Sequence, residues 1–428
     1  MTMIRPETEM KDSGIEYVGA IPKDWDLVRL RAYFGERKNK NKDGNETNLL
    51  SLSYGRIIRK NIDKTDGLLP ASFNTYNIVE KNDIIIRPTD LQNDKRSLRT
   101  GLVTEHGIIT SAYIDLMPIG NVDSRFVHYL LHSYDILKVF YNMGSGVRQG
   151  LNYSEFSKLK VPMPPLSEQQ AIADYLDETC FKIDEIIAEA KASIDEYKEL
   201  KQSVIDKAVL HGLCNGMMKD SGNDLIGKIP LSWEMRKLKY VADFNPGITT
   251  AYDAQKEVGY VPMNCVKNGY MNPLSARLSD MSTGLTGFQD GDIVIAKVTP
   301  CFENGNIAVA ENLEQGVAFG SSELFVIRTH SINRRFMLYY LQNSVFKNQC
   351  ISTMTGTGGL KRVSGYFVNN AYITYPPENE QQVIVNYLDE AVKNMDSLIA
   401  EKQSLIADLE AYKKSLIYEV VTGKRRVV

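Results

Sequence analysis

Two stretches of the chain place apolar residues in a regular alternation of four and three. In the first, the seam runs Ile183, Ile187, Ala190, Ile194, Tyr197, Lys201, Val204 and Ala208; in the second, it runs Met395, Ile399, Lys402, Ile406, Leu409, Lys413, Leu416 and Val420. This spacing keeps one narrow stripe of a helix in contact with a partner helix. Neither proline nor glycine interrupts Glu168 to His211, so the first helix is predicted to run about 60 Å at 1.5 Å per residue. Ser167 and Asn379 are read as N-caps, each just after a Pro-Pro pair, and Gly212 and Gly423 as terminators. A seam needs a partner, and the chain supplies two with one period, which predicts an antiparallel pair. Lys201 and Lys413 are odd residues for a dry seam and are expected to flank it or mark a crossing point.

Elsewhere the pattern is that of mixed globules. Short β-like runs at Ile84–Arg87, Gly107–Tyr113, Ile293–Lys297 and Leu324–Ile327 alternate with turn residues, and amphipathic helices are predicted at Phe126–Tyr141 and Phe336–Cys350.

The chain also repeats itself. Met10–Leu30 and Met218–Leu238 share 10 of 21 residues, including the only two tryptophans, Trp25 and Trp233. Pro164–Asp177 and Pro376–Asp389 share 9 of 14, while the sequence between these anchors matches poorly. A period near 210 is too long for a solenoid and indicates a duplicated domain pair with divergent interiors. The expected organisation is a first domain at 1–165, a central helix at 166–212, a second domain at 213–377 and a terminal helix at 378–428. The fold class is α+β: two mixed α/β domains separated by two long antiparallel helices forming a coiled coil, with an internal pseudo-two-fold repeat.

Composition refines this picture. A chain of 428 residues with 43% hydrophobic and 24% charged residues is an ordinary globular one, with room for two to four domains at roughly 100–200 residues each. No apolar run is long enough for a membrane helix, and the start does not resemble a signal peptide, which points to the cytoplasm. Five scattered cysteines without a C-x-x-C pair fit reduced thiols. The net charge of −3 hides a partition. Arg31–Lys160 holds 19 basic against 14 acidic residues, whereas Ser167–Gly212 holds 5 against 11 and Asn379–Lys424 holds 5 against 8. Positive charge therefore gathers on the first globule and negative charge on the helices, consistent with one polyanion-facing part and one protein-facing part.

The sequence carries no recognisable catalytic set. It has no D-P-P-Y or N-P-P-F tetrapeptide, no G-x-x-x-x-G-K-[ST], no H-E-x-x-H and no G-x-S-x-G. The glycines of Gly144-Ser-Gly146 and Gly356-Thr-Gly358 have the wrong spacing for a dinucleotide fold. Glu196-Tyr-Lys198 supplies only the last element of a nuclease motif, on a charged helix face. His128 and His132 stand one helical turn apart, but no third metal ligand is evident and a solvated face is expected. No catalytic, cofactor or metal residue is assigned, and the chain is read as a binding protein.

Two patterns carry a family resemblance: Pro164-Pro-Leu-Ser-Glu-Gln-Gln-Ala-Ile-Ala-Asp-Tyr-Leu-Asp177 before a long helix, and the duplicated Ile-Pro-x-x-Trp-x-x-x-x-Leu at Ile21–Leu30 and Ile229–Leu238. Together they closely resemble specificity subunits of Type I restriction–modification systems, along essentially the whole chain. The second copy departs mildly, with Pro376-Pro-Glu-Asn-Glu380. The resemblance implies a non-catalytic, sequence-specific DNA-binding subunit whose two variable interiors are target recognition domains. Each would read one half of an asymmetric, bipartite site in double-stranded DNA. It also implies docking of two methyltransferase subunits and of a restriction subunit. S-adenosylmethionine, ATP and magnesium are then expected in those partners and not in this chain. The competing reading is a coiled-coil scaffold whose globules bind proteins.

Candidate DNA-binding residues are the basic and amide side chains of turn-rich segments. In the first domain these are Arg56, Arg59 and Lys60 about a glycine, Lys95, Arg96 and Arg99 in the next basic loop, and Arg148 with Gln149 in a glycine loop. In the second, Lys361 and Arg362 stand at the matching glycine loop, and Lys267, Asn268, Arg277 and Lys297 are weaker candidates. Candidate partner-binding residues are Glu168, Gln169 and Gln170 with Glu380, Gln381 and Gln382, because both copies retain them on exposed-looking helix starts. Glu185, Glu189 and Glu196 would repel DNA and suit a protein partner.

Overall fold

The structure is a computed structural model that describes residues 3–61, 72–91, 98–143, 150–213, 216–357 and 359–427. Its contacts divide the chain into two compact units: Met1–Lys191 with Gln403–Val428, and Ala192–Lys402. The central helix (Leu166–His211) and the terminal helix (Glu378–Val421) each contribute residues to both.

The first unit is built on a four-stranded antiparallel sheet in the order Thr100–Leu102, Ile84–Ile86, Ile114–Pro118, Phe34–Glu36. The run Ile84, Ile85 and Ile86 is buried on both faces, as expected of a central strand packed on two sides. On one side lies a helix, Ser124–Ile136, whose start is fixed by Asp123 accepting the amide of Arg125. On the other side, Leu50–Ser53 and Arg56–Arg59 form a hairpin beside the pair Gly107–Ile109 and Asn77–Val79. Tyr54 and Gly55 both have positive φ at its tip, 47° and 78°, which is the two-residue turn that matches strand twist.

The second unit repeats the plan. Its first sheet runs Ala242–Phe244, Leu324–Thr329, Ile293–Ala296, Ile307–Val309, the same order of equivalent strands. Its second sheet, Leu274–Arg277, Glu257–Val261, Val317–Gly320 and Thr286–Gln289, holds a parallel pair between Glu257–Val261 and Val317–Gly320. The helix expected over Phe336–Cys350 is two helices, Arg334–Gln342 and Ser344–Ser352. The break is Asn343, whose extended backbone (φ −66°, ψ 150°) lets its side chain cap the amide of Phe346.

Both long helices start two residues earlier than their assumed caps imply. Pro165 carbonyl accepts from the amides of Glu168 and Gln169, and Pro377 carbonyl from those of Glu380 and Gln381. Proline loses nothing at a helix start, where its missing N–H would be unpaired anyway, so Ser167 and Asn379 fall in the first turn. The seam positions are buried or half-buried throughout both helices. Within the first unit, Asp184 meets Lys413 while Arg5 bonds both Glu168 and the carbonyl of Lys424. Within the second, Lys201 meets Asp396 and Gly212 approaches Glu380. In each unit one helix rises in number as the other falls, so the pair is antiparallel. The terminators are as expected: Gly212 and Gly423 have φ of 76° and 73°, and each abuts one copy of the Ile-Pro-x-x-Trp motif.

Candidate nucleic-acid interface

In the first unit the Leu50–Arg59 hairpin presents Arg56 and Arg59 on its second strand and Lys60 just beyond that strand's end, all exposed. Arg56 pairs with Asp184 of the central helix at 2.7 Å. Arg59 pairs with Glu105 through Nε at 2.7 Å, and this bond holds the Glu105 carboxyl below its ordinary range. Exposed ion pairs of this kind hold little net free energy, so both guanidinium groups can exchange a carboxylate for a phosphate. Lys95, Arg96, Arg148 and Gln149 lie outside the described residues.

Arg99 is a correction. Its side chain is 0% exposed, with Nη1 donating to the Thr89 carbonyl at 2.6 Å, Nη2 to Asp90 at 3.0 Å and Nε to the Tyr141 hydroxyl at 3.1 Å. A guanidinium spent on backbone carbonyls tethers a loop from inside and does not reach a duplex.

In the second unit the glycine loop is a hairpin, Thr355–Thr357 with Leu360–Arg362. Gly356 has φ 144°, and a Cβ there would lie 2.2 Å from the Leu360 carbonyl oxygen, so only glycine permits this turn. Thr299 pins the hairpin: its hydroxyl accepts the Lys361 amide at 2.9 Å and donates to Gly359 at 2.7 Å. The exposed Arg362 is bidentate to Glu323, with Lys297 3.9 Å from the same carboxylate. The structure thus gathers Lys297, Lys361 and Arg362 on one edge. Lys267 and Asn268 sit apart, on the connection between the strands equivalent to the first unit's hairpin, and Arg277 sits on its outer strand.

The retained helix starts divide. Gln169 is 2% exposed, accepting from the Asp123 amide at 3.0 Å and donating to the Pro164 carbonyl at 2.9 Å. Gln381, also 2% exposed, repeats both bonds with Asn333 and Pro376 at 2.7 and 2.8 Å. Glu168 accepts from Arg5 and, at 3.0 Å, from the indole N–H of Trp25. These three face inward, which corrects their assignment as docking residues: the helix start needs partners for its own neighbours. Glu380 is half-buried, its carboxylate beside Gly212. Gln170 and Gln382 face solvent.

His128 and His132 are not a solvated face. They line a cavity of about 1040 Å³ between the first unit's hairpin and its helix pair, together with Arg56, Lys413 and Lys414. Burial holds His128 near a pKa of about 3, with His132 adding to it; burial and the neighbouring Lys413 and Lys414 hold His132 at about 4. Among the described residues no group of three or more His, Cys, Asp or Glu side chains could hold a metal. Cys180, Cys265, Cys301 and Cys350 are free thiols, and Cys214 lies outside the described residues. No described helix is long and apolar enough to cross a membrane.

Sequence reasoning missed a matched set of side chains. Arg125 and Tyr129 both bond Asp177, at 2.9 and 2.8 Å, and Arg335 and Tyr339 both bond Asp389, at 2.5 and 2.6 Å. The signal was available as Arg-Phe-x-x-Tyr at 125–129 and 335–339, hidden inside interiors that otherwise diverge.

The two units repeat one order of equivalent strands in their first sheets, and each sets exposed basic side chains on a hairpin strand. Residues 22–196 and 230–407 match the family described as the Type I restriction modification DNA specificity domain. The chain belongs to this family. It is 35% identical over 192 residues to the specificity subunit of the Type I restriction enzyme EcoAI from Escherichia coli, a match covering 44% of this chain and 32% of that subunit. The match to the EcoEI specificity subunit has the same extent, so the chain spans about a third of these relatives' length. The MjaVIII specificity subunit of Methanocaldococcus jannaschii is 23% identical over 95% of this chain and 94% of its own. A chain of a solved type I R-M system shares the fold at a TM-score of 0.69 and 16% identity, covering 94% of this chain and 99% of its own. The HsdS subunit from Thermoanaerobacter tengcongensis does so at 0.52 and 17%, covering 94% and 98%.

Proposed function

We propose that the chain reads an asymmetric, bipartite site in double-stranded DNA, one half-site to each unit, and presents it to two methyltransferase subunits and a restriction subunit in the cytoplasm. The observation that carries this reading is the duplication itself. The two units keep one sheet order and one attachment to the helices, while their outer edges differ: Arg56, Arg59 and Lys60 on one, Lys297, Lys361 and Arg362 on the other. Two unlike readers on one support specify two unlike half-sites, and the paired helices set the gap between them.

Lys95, Arg96, Arg148 and Gln149 are proposed to join the first unit's DNA-facing edge. The solvent-facing Gln170 and Gln382, with the exposed apolar Phe181 and Ile186 in the first unit and Val383 and Tyr387 in the second, are the proposed docking positions. Apolar side chains left open on an acidic helix suit a protein partner better than a polyanion. Methyl transfer and ATP-driven steps belong to those partners.

The test is duplex binding at graded salt. Phosphate contacts make affinity fall steeply, with a slope of about 0.9 per contact on logarithmic axes. Arg59→Ala and Arg362→Ala are each expected to lower that slope by about one if they hold phosphates, or to relax one half-site selectively if they read bases. Salt-independent binding, or none, contradicts the reading.

A further inference from the structure

The residues that both halves of the chain share converge on one place in each unit. In the first, the fully buried Trp25 packs edge-on against Phe126, with ring centroids 6.2 Å apart; in the second, Trp233 packs against Phe336 at 6.4 Å, at the same interplanar angle of 82°. Each phenylalanine belongs to an Arg-Phe-x-x-Tyr segment whose arginine and tyrosine hold Asp177 or Asp389. Eight residues earlier on the same long helix, Gln169 or Gln381 takes the amide of the cap residue, Asp123 or Asn333.

Eight helical residues advance about 12 Å and about 2.2 turns, so the glutamine and the aspartate fall within one broad stripe of the helix. One fixed point would leave the recognition-domain helix free to swing across the long helix; two fixed points remove that freedom. Burial raises the Tyr129 and Tyr339 pKa values, so both hydroxyls remain donors. The surroundings are not retained: His128 and His132 correspond to Leu338 and Gln342. Half-exposed ion pairs add little to stability, and their survival in two otherwise divergent interiors points to a geometric duty.

We infer that Arg125, Tyr129 and Asp177, with Arg335, Tyr339 and Asp389, are positioning residues that fix the angle between each recognition domain and the long helices, and through it the gap accepted between half-sites. This rests on the bipartite reading above.

The experiment uses the full chain with its partner subunits and duplexes carrying the mapped site at its native gap, and at gaps one base pair shorter and longer. For Tyr129→Phe combined with Asp177→Asn, preference for the native gap is expected to fall about tenfold while preference among single-base changes within each half-site stays within about twofold. Tyr339→Phe with Asp389→Asn is expected to do the same. Unchanged gap preference in a variant that melts like the parent overturns the inference, as does lost base preference with the gap intact. Should a double variant fail to fold, Tyr129→Phe alone, which removes one hydroxyl, is judged on the same criteria. A parent that shows no gap preference brings down the bipartite reading, and the inference with it.

Discussion

Nζ of Lys413 lies 2.6 Å from Oδ1 of Asp184, across the helix pair of the first unit. The second unit repeats the relationship, with Lys201 2.6 Å from Asp396. All four residues are related by one offset of 212, so each lysine is a seam residue whose stem lies in the stripe and whose ammonium finds the other helix at its edge. This is why lysine is tolerated in a coiled-coil seam, and it fixes register, because a slip of one turn leaves both ammonium groups without their carboxylates. In a double-mutant cycle, Lys201→Ala and Asp396→Ala are expected to couple by about 0.5–1 kcal/mol, within the range of partly exposed pairs. The check is denaturant unfolding of the four proteins; additive losses would remove the pair from the register argument.

The two tryptophans are not equivalent. Trp25 donates its indole N–H to Glu168 at 3.0 Å, whereas the buried Trp233 indole nitrogen has no partner among the described residues. Trp25→Phe should therefore cost about 1–2 kcal/mol more than Trp233→Phe, since only the former breaks a charge-assisted hydrogen bond and leaves its acceptor half-served. Thermal unfolding of the two variants, followed by far-ultraviolet circular dichroism of the whole chain, measures the difference.

Gly423 combines a φ of 73° with a crowded site, where a Cβ would lie 2.4 Å from Pro22 and 3.1 Å from Trp25. Gly216 has nothing within 4 Å of the same position. Gly423→Ala is expected to destabilise the first unit by at least about 2 kcal/mol, and Gly216→Ala to leave stability nearly unchanged. Chemical denaturation midpoints distinguish them.

Acid acts on the first unit through His128 and His132. Both are neutral in the folded state down to pKa values of about 3 and about 4, while in the unfolded chain they take up protons near pH 6.5. Their contribution is whole above pH 6.5 and lost as the pH falls toward 4, by up to about 2 kcal/mol each between pH 7 and 5. The buried Asp115 has the opposite sign. Desolvation and the neighbouring Asp83 raise its pKa to about 8, so it opposes folding increasingly as the pH rises from 4 to 8. Exchanging His128 and His132 for the second unit's leucine and glutamine should flatten the acid limb of a stability–pH curve, and Asp115→Asn the alkaline limb. An unaltered acid limb in the His128→Leu, His132→Gln variant would place the acid sensitivity elsewhere.

Period and repetition carried the architecture. The alternation of four and three exposed both long helices, and two copies of the Ile-Pro-x-x-Trp and Glu-Gln-Gln patterns exposed the duplication, because helix period and repeats are properties of sequence order. What periodicity does not encode is direction. Gln169 and Gln381 look like surface residues at a polar helix start, yet they face inward because the recognition-domain helix caps beside them. Arg99 looks like a loop cation available to a phosphate, yet three acceptors brought in from Thr89, Asp90 and Tyr141 enclose it. His128 and His132 look solvated until the hairpin and the terminal helix come over them. In each case the deciding partner lies on a different element, and no local pattern announces it.

The most direct test of the account lengthens the ruler. Inserting one heptad into each long helix at facing positions extends the pair by about 10 Å, close to three base pairs of duplex at 3.4 Å each. Methylated sites mapped genome-wide, in cells carrying the parent or the extended chain with its partner subunits, are expected to show the same two half-sites separated by a gap about three base pairs longer. Altered half-sites at the original gap would contradict the claim that paired helices hold two independent readers apart.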